Sequence, residues 1–241
     1  MDIILVPGFW LDASSWSKVT PALVEAGHTV HPLTLPGLES VATERADIGL
    51  RTHIDAVIAA IDSFAEPVVL VGHSGGGGIA YGAADARPDR VARIIYVDSG
   101  PLAHGEAINE GLAGDGPDVP LPAWDDFDEA DLTDLNEELR ANFLAEAIPE
   151  PRGVVADKQE LADDRRFDVP ATVIACEFPS SQLHEWIAEG HPYVAELASA
   201  HDVEYIDLPT GHWPQFTRPV ELGEIILAAV DRTGENERPT S

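Results

Sequence analysis

Cysteine and basic residues are what this chain has least of. The single Cys176 excludes an intramolecular disulfide, and its place in an apolar run reads as a small buried side chain rather than a reactive thiol. Only 14 Lys and Arg stand against 43 Asp and Glu, giving a formal net charge of −29. A surface so acidic repels nucleic acid and anionic membranes, so neither is an expected partner. No uninterrupted apolar stretch approaches the roughly 20 residues that span a bilayer. Met1-Asp2 leads straight into Ile3–Val6 with no basic region before it, so no secretory signal is visible and a cytoplasmic location is expected. No His, Asp or Glu pair stands at a convincing metal-ligand spacing, and the glycine run 75–78 lacks the lysine of a phosphate-binding loop. The expectation is therefore no metal, no cofactor, and a small molecule as substrate.

The acidity is concentrated. Residues 101–168 hold 19 Asp and Glu against five Lys and Arg, which reads as a solvated surface rather than a site for a cationic substrate. The rest is ordinary: 44% hydrophobic and 24% charged residues in 241 fit one soluble domain with a substantial core.

Short β-rich runs alternate with helical periodicity at both ends of the chain, which predicts an α/β fold with a mainly parallel sheet covered on both faces. Strands are expected at Ile3–Val6, 28–33, 67–71, Val91–Val97, 171–176 and 203–208. Helices are expected at 15–26, 50–61, 79–87, 181–200 with an interruption near Pro192, and 219–230. Between 100 and 168 the alternation stops. Gly, Pro and acidic clusters there surround one helical stretch, 131–147, with no strand run, and a loop of that length implies a partly helical cap over the sheet edge. The expected division is a core of 1–99 and 169–232, an inserted cap at 100–168, and a flexible tail at 233–241.

The chemistry is carried by Gly72-His73-Ser74-Gly75-Gly76, a G-x-S-x-G pattern between the run Pro67–Val71 and a helical stretch. Turning a strand at once into a helix strains the corner residue, and the flanking glycines remove Cβ atoms that would clash. Ser74 is then an exposed nucleophile, and the N–H of Gly75 at the helix N-terminus faces any negative charge that develops. A serine hydroxyl needs a base, and the base needs an orienting acid. His212, in a Gly/Pro loop directly after the last strand, ends at the same sheet edge as Ser74. Its neighbours in type, His28, His31, His53 and His73, read as structural.

The opening Leu5-Val6-Pro7-Gly8-Phe9-Trp10, the elbow at Gly72–Gly76 and the Gly211-His212 loop, in that order, resemble the α/β-hydrolase superfamily, and its compact branch of plant methyl-ester esterases and hydroxynitrile lyases most closely. The resemblance covers nearly the whole chain outside the cap. It implies a second oxyanion donor at the backbone N–H of Phe9, and Pro7 replaces the histidine usual before the glycine. It also implies two places for the acid. One follows the strand before the last helices, where Glu177 stands and no Asp does; the other ends the strand after the nucleophile helix, where Asp98 stands. Asp98 is preferred, with Glu177 the alternative.

A triad of Ser74, His212 and Asp98 with donors at Phe9 and Gly75 suits hydrolysis of an ester, thioester or lactone. Serine in place of a nucleophilic aspartate argues against dehalogenase or epoxide hydrolase chemistry. A lyase or C–C bond hydrolase using the same triad, or a non-catalytic ligand receptor, are the rival readings. Phe9, Trp10, Trp213 and Phe216, with Trp124 from the cap, suggest an apolar substrate, although each is individually better read as packing.

Overall fold

The computed structural model describes residues 1–112 and 114–236. Six parallel strands form one sheet: β1 (Asp2–Val6), β2 (Thr29–Pro32), β3 (Val68–His73), β4 (Val91–Val97) and, beyond a short antiparallel pair β5 (Asp118–Val119) and β6 (Glu150–Pro151), β7 (Ala171–Ala175) and β8 (Val203–Asp207). The sheet order is β2-β1-β3-β4-β7-β8. The chain runs outward from β1 to β2 and then crosses back to β3, so the strand order reverses between β1 and β3. In an open α/β sheet, loops at such a reversal diverge and leave a crevice above the carboxyl ends of the strands. The segment Pro7–Trp10 and the turn at Ser74 are those two loops.

The helices are α1 (Thr20–Glu25), α2 (Leu50–Asp62), α3 (Gly75–Ala86), α4 (Glu137–Glu146), α5 (Arg152–Ala156), α6 (Ser180–Glu189), α7 (Ala195–Ser199), α8 (Pro214–Thr217) and α9 (Pro219–Asn236). Side chains of a strand alternate between faces, and the core divides accordingly. Ile3 and Leu5 pack with Leu23 of α1 and Leu222 and Ile226 of α9, whereas Ile4 and Val6 pack with Ile54 of α2, Ile79 of α3 and the segment between β4 and β7. Among the described residues no helix is long and apolar enough to cross a membrane.

Several elements differ from the sequence pattern. The helix expected over 15–26 is a 3-10 turn at Ala13–Trp16 followed by α1, because Pro21 has no N–H to donate and fits only the first turn of a helix. The stretch 131–147 becomes helical only from Glu137, where the Asn136 side chain accepts the Leu139 N–H at 3.0 Å and caps it. Asp134 just before it has φ +63 and ends the preceding turn. The same region holds a strand pair, β5 and β6, two residues each and too short to show an alternation. Helix α9 runs past residue 233, where a tail was expected to begin. Thr233 is buried, and its hydroxyl accepts from the Arg93 guanidinium at 2.9 Å. The remainder of that expected tail, 237–241, lies outside the described residues.

Candidate active site

Strand β3 ends at His73, and α3 starts at Gly75, leaving Ser74 alone to make the corner. It does so with φ 52 and ψ −128, a conformation disfavoured for any residue with a Cβ. Close approach on the inner side of the corner explains the flanking glycines. A Cβ on Gly76 would lie 2.4 Å from the Pro7 carbonyl oxygen, and one on Gly72 would lie 2.6 Å from that of Gly76. Both obstacles are backbone and cannot swing aside. The corner is tied from outside by the Ser99 hydroxyl, which donates to the Ser74 carbonyl at 2.6 Å.

His212 reaches the same point from the loop after β8. Its Nε2 lies 2.7 Å from Ser74 Oγ. Its Nδ1 lies 2.7 Å from Asp98 Oδ2 and 3.0 Å from Glu177 Oε2. The Asp98 carboxylate at Nδ1 favours the proton there, which leaves Nε2 with a lone pair facing the Ser74 hydroxyl. Asp98 is held in turn: its Oδ1 accepts the backbone N–H groups of Cys176 and Glu177 at 3.0 and 3.1 Å. Ser74, His212 and Asp98 therefore form one hydrogen-bonded line, and Glu177 stands beside its far end rather than outside it. The sequence posed the two acids as alternatives; the fold brings both to one nitrogen.

The protonation of this group follows from its surroundings. Burial works against charge on Asp98, but the hydrogen bonds from His212 and from Glu177 hold its carboxyl below the ordinary range. Burial pushes the Glu177 carboxyl up, and a hydrogen bond with the Asp131 side chain and the nearby charge of Asp98 add to this, against the pull of His212. Burial also disfavours an imidazolium at His212, yet the bonds and charges of the two acids outweigh it and raise its pKa. Asp98 is thus the more readily ionised of the two acids, and Glu177 is the one whose ionisation is held back. Asp98, Glu177 and His212 are also a trio with metal-capable atoms within 4.8 Å of one another. Those atoms are already spent on the hydrogen bonds among the three.

His73, inside the pentapeptide, is fully buried, and its Nε2–H donates to the His212 carbonyl at 2.7 Å. Burial, with the charge of His212 nearby, lowers its pKa to about 3, so it stays neutral and braces the loop. The same loop is gripped from the β4–β7 segment, where the N–H groups of Gly211 and His212 donate to the carbonyls of Thr133 and Asp131 at 3.0 and 2.8 Å. No pattern in the sequence pointed to those two carbonyls, because any residue supplies one.

Phe9 packs its ring against Gly75, where a Cβ would meet it at 2.6 Å. The backbone N–H groups of Phe9 and Gly75 have no acceptor among the described residues. The neighbouring N–H, that of Trp10, is taken by Glu150 at 3.2 Å, a residue that no motif or periodicity singled out. Of the aromatic residues named from the sequence, Trp213 lies in the core and Trp124 packs against it, the reading favoured for each. Trp213 is 2% exposed and meets Trp124, Phe127 and Phe143 edge-on at centroid distances of 6.0, 5.4 and 5.3 Å. They join the β4–β7 segment to the histidine loop as a continuation of the core.

Comparison with known proteins agrees with this architecture. The model of the alpha/beta hydrolase family matches residues 3–225. A carbendazim hydrolyzing esterase from Nocardioides sp. (strain SG-4G) is 27% identical over 246 residues, covering 94% of this chain and 98% of that protein. Among solved structures, a pyrethroid hydrolase from Sphingobium faniae JZ-2 superposes with TM-score 0.71 at 22% identity over 98% of this chain and 99% of the other. The methylesterase MES16 from Arabidopsis gives 0.72 at 19% identity over 96% and 99%.

Proposed function

The chain belongs to the alpha/beta hydrolase family, and from that premise we propose that it is a serine esterase that cleaves an ester, thioester or lactone of a small, apolar molecule through an acyl-enzyme on Ser74. The observation that carries the reading is the line of two 2.7 Å contacts from Ser74 Oγ through His212 to Asp98. His212 Nε2 takes the serine proton as Oγ attacks the carbonyl carbon, and ionised Asp98 stabilises the imidazolium that results. The oxyanion is received by the Phe9 and Gly75 N–H groups, which are free to donate and fixed before the reaction begins. His212 returns its proton to the leaving alkoxide or thiolate. It then activates a water that releases the acyl group and restores Ser74. Two of the relatives named above are described as hydrolysing carbendazim and pyrethroids, which supports hydrolysis over the lyase reading.

The test is Ser74→Ala against a panel of short p-nitrophenyl esters, with mass spectrometry of the parent after a fluorophosphonate. Parent turnover, its loss by at least 10³-fold in the variant, and one adduct on Ser74 are expected. Cleavage of a cyanohydrin or diketone with no ester turnover would replace the proposal with a lyase or C–C hydrolase. Ligand binding that persists in Ser74→Ala, with an inert parent, would replace it with a receptor.

A further inference from the structure

Glu150 is 140 residues away from Trp10 along the chain and only 1% exposed. Carboxyl groups are rarely buried so deeply without a specific partner. One of its oxygens, Oε2, accepts the Trp10 backbone N–H at 3.2 Å. Two further bonds reach the same residue from the same segment: the Ile148 N–H donates to the Trp10 carbonyl at 3.0 Å, and the Trp10 indole N–H donates to the Val119 carbonyl at 3.0 Å. Trp10 needs this grip, since its φ of +65 lies in the left-handed region that a bulky residue does not adopt unaided. On the other side of the loop, Pro7 has neither an N–H nor a polar side chain with which to anchor it.

The loop so held is the one that carries Phe9. Were the Trp10 N–H free, the peptide between Phe9 and Trp10 could rotate, and either amide could turn toward Ser74. We propose that Glu150 is a positioning residue for the oxyanion hole: by binding the Trp10 N–H it locks the peptide after Phe9 and keeps the Phe9 N–H aimed at the reacting carbonyl. This rests on the esterase reading above. The chemistry of the pocket is consistent with a neutral acceptor. Burial raises the Glu150 pKa to about 8, against the Trp10 N–H and the charge of Arg45. Its Oε1 lies 3.8 Å from Nδ1 of buried His53. The His53 Nε2–H is bonded to the Pro36 carbonyl at 2.8 Å, and burial holds that ring neutral, with a pKa near 4. Its Nδ1 has no hydrogen-bond partner among the described residues, so His53 offers Glu150 a lone pair and no positive charge.

Glu150→Gln keeps a neutral carbonyl acceptor, Glu150→Asp draws the oxygen back by one methylene, and Glu150→Leu removes it. Each is compared with the parent for kcat and KM on p-nitrophenyl butyrate. Inhibition by a trifluoromethyl ketone, whose adduct on Ser74 carries an oxyanion, is measured alongside, and active sites are titrated with a fluorophosphonate. Glu150→Leu should lose on the order of 10- to 100-fold in kcat with KM within about threefold. It should lose affinity for the ketone by the same factor, and Glu150→Gln should recover most of both. Should the leucine variant not fold, Glu150→Asp carries the test, with a lower kcat per titrated site. Parent kcat per site and parent ketone affinity in Glu150→Leu, or in Glu150→Asp if that is the variant that folds, would overturn the assignment, as would losses explained wholly by fewer titratable sites. The esterase reading fails separately, if Ser74→Ala keeps its turnover.

Discussion

Asp98→Asn is the most discriminating perturbation of the proposed triad, because the structure dictates how the amide must sit. Oδ1 of Asp98 accepts two backbone N–H groups, from Cys176 and Glu177, at 3.0 and 3.1 Å. An asparagine keeps its oxygen there, since turning its NH₂ toward two donors would leave both unsatisfied in a buried place. The NH₂ therefore faces His212 Nδ1, now 2.7 Å from the oxygen it replaces. Nδ1 must accept, the proton moves to Nε2, and the ring can no longer take a proton from Ser74. A wrong tautomer of this kind costs on the order of 10⁴ in kcat, or about 5.5 kcal/mol of transition-state stabilisation. Glu177, 3.0 Å from the same nitrogen, has its carboxyl pKa raised by burial and by the hydrogen bond with Asp131, so it substitutes poorly near neutral pH. As pH rises it ionises and competes for the Nδ1 proton, so part of the loss should be regained. Steady-state kinetics of Asp98→Asn, Glu177→Gln and the double variant between pH 6 and 10 measure this. Glu177→Gln should stay within about tenfold of the parent, and the double variant should show no alkaline recovery. A single Glu177→Gln that loses 10⁴-fold while Asp98→Asn stays within tenfold would reverse the roles and refute the tautomer argument.

Two further outcomes follow from the same geometry. Since Asp98 and Glu177 raise the pKa of His212, the acid limb of kcat/KM in the parent should fall above the ordinary imidazole value of about 6.5. Activity rises as His212 loses its proton, and Glu177→Gln should move the limb down; a limb at or under 6.5 in the parent would contradict the assignment. In Gly211→Ala the new Cβ would stand 2.2 Å from the Asp131 carbonyl oxygen and 2.6 Å from that of Thr133, so the histidine loop must part from the segment that grips it. Calorimetry should show a destabilisation of ~2 kcal/mol or more, about 4–8 °C in Tm, and kcat should fall more than tenfold.

Much of this protein was legible in its residues. The apolar runs at Ile3–Val6 and Val91–Val97 became the strands Asp2–Val6 and Val91–Val97, and the pentapeptide at Ser74 became a strand-to-helix corner. Such features rest on interactions between near neighbours in the chain, and periodicity reports them. Legibility failed where a few residues act without a pattern. Strands β5 and β6 have two residues each, and α4 begins late because of the single cap at Asn136.

The sequence by itself determined the class of fold and pointed to Ser74 and His212, because a serine between glycines at a corner and a histidine after the last strand are local facts made meaningful by parallel strands ending at one edge. Only the tertiary structure decided the rest. It brought Asp98 and Glu177, 79 positions apart, to the same nitrogen, and it set a buried carboxyl from position 150 behind the loop at position 10. Differences of a few tenths of an ångström, the hydrogen bonds that set two buried carboxyl groups at different pKa values, and backbone carbonyls that any residue could supply are properties of contact in space, and no order of residues spells them out.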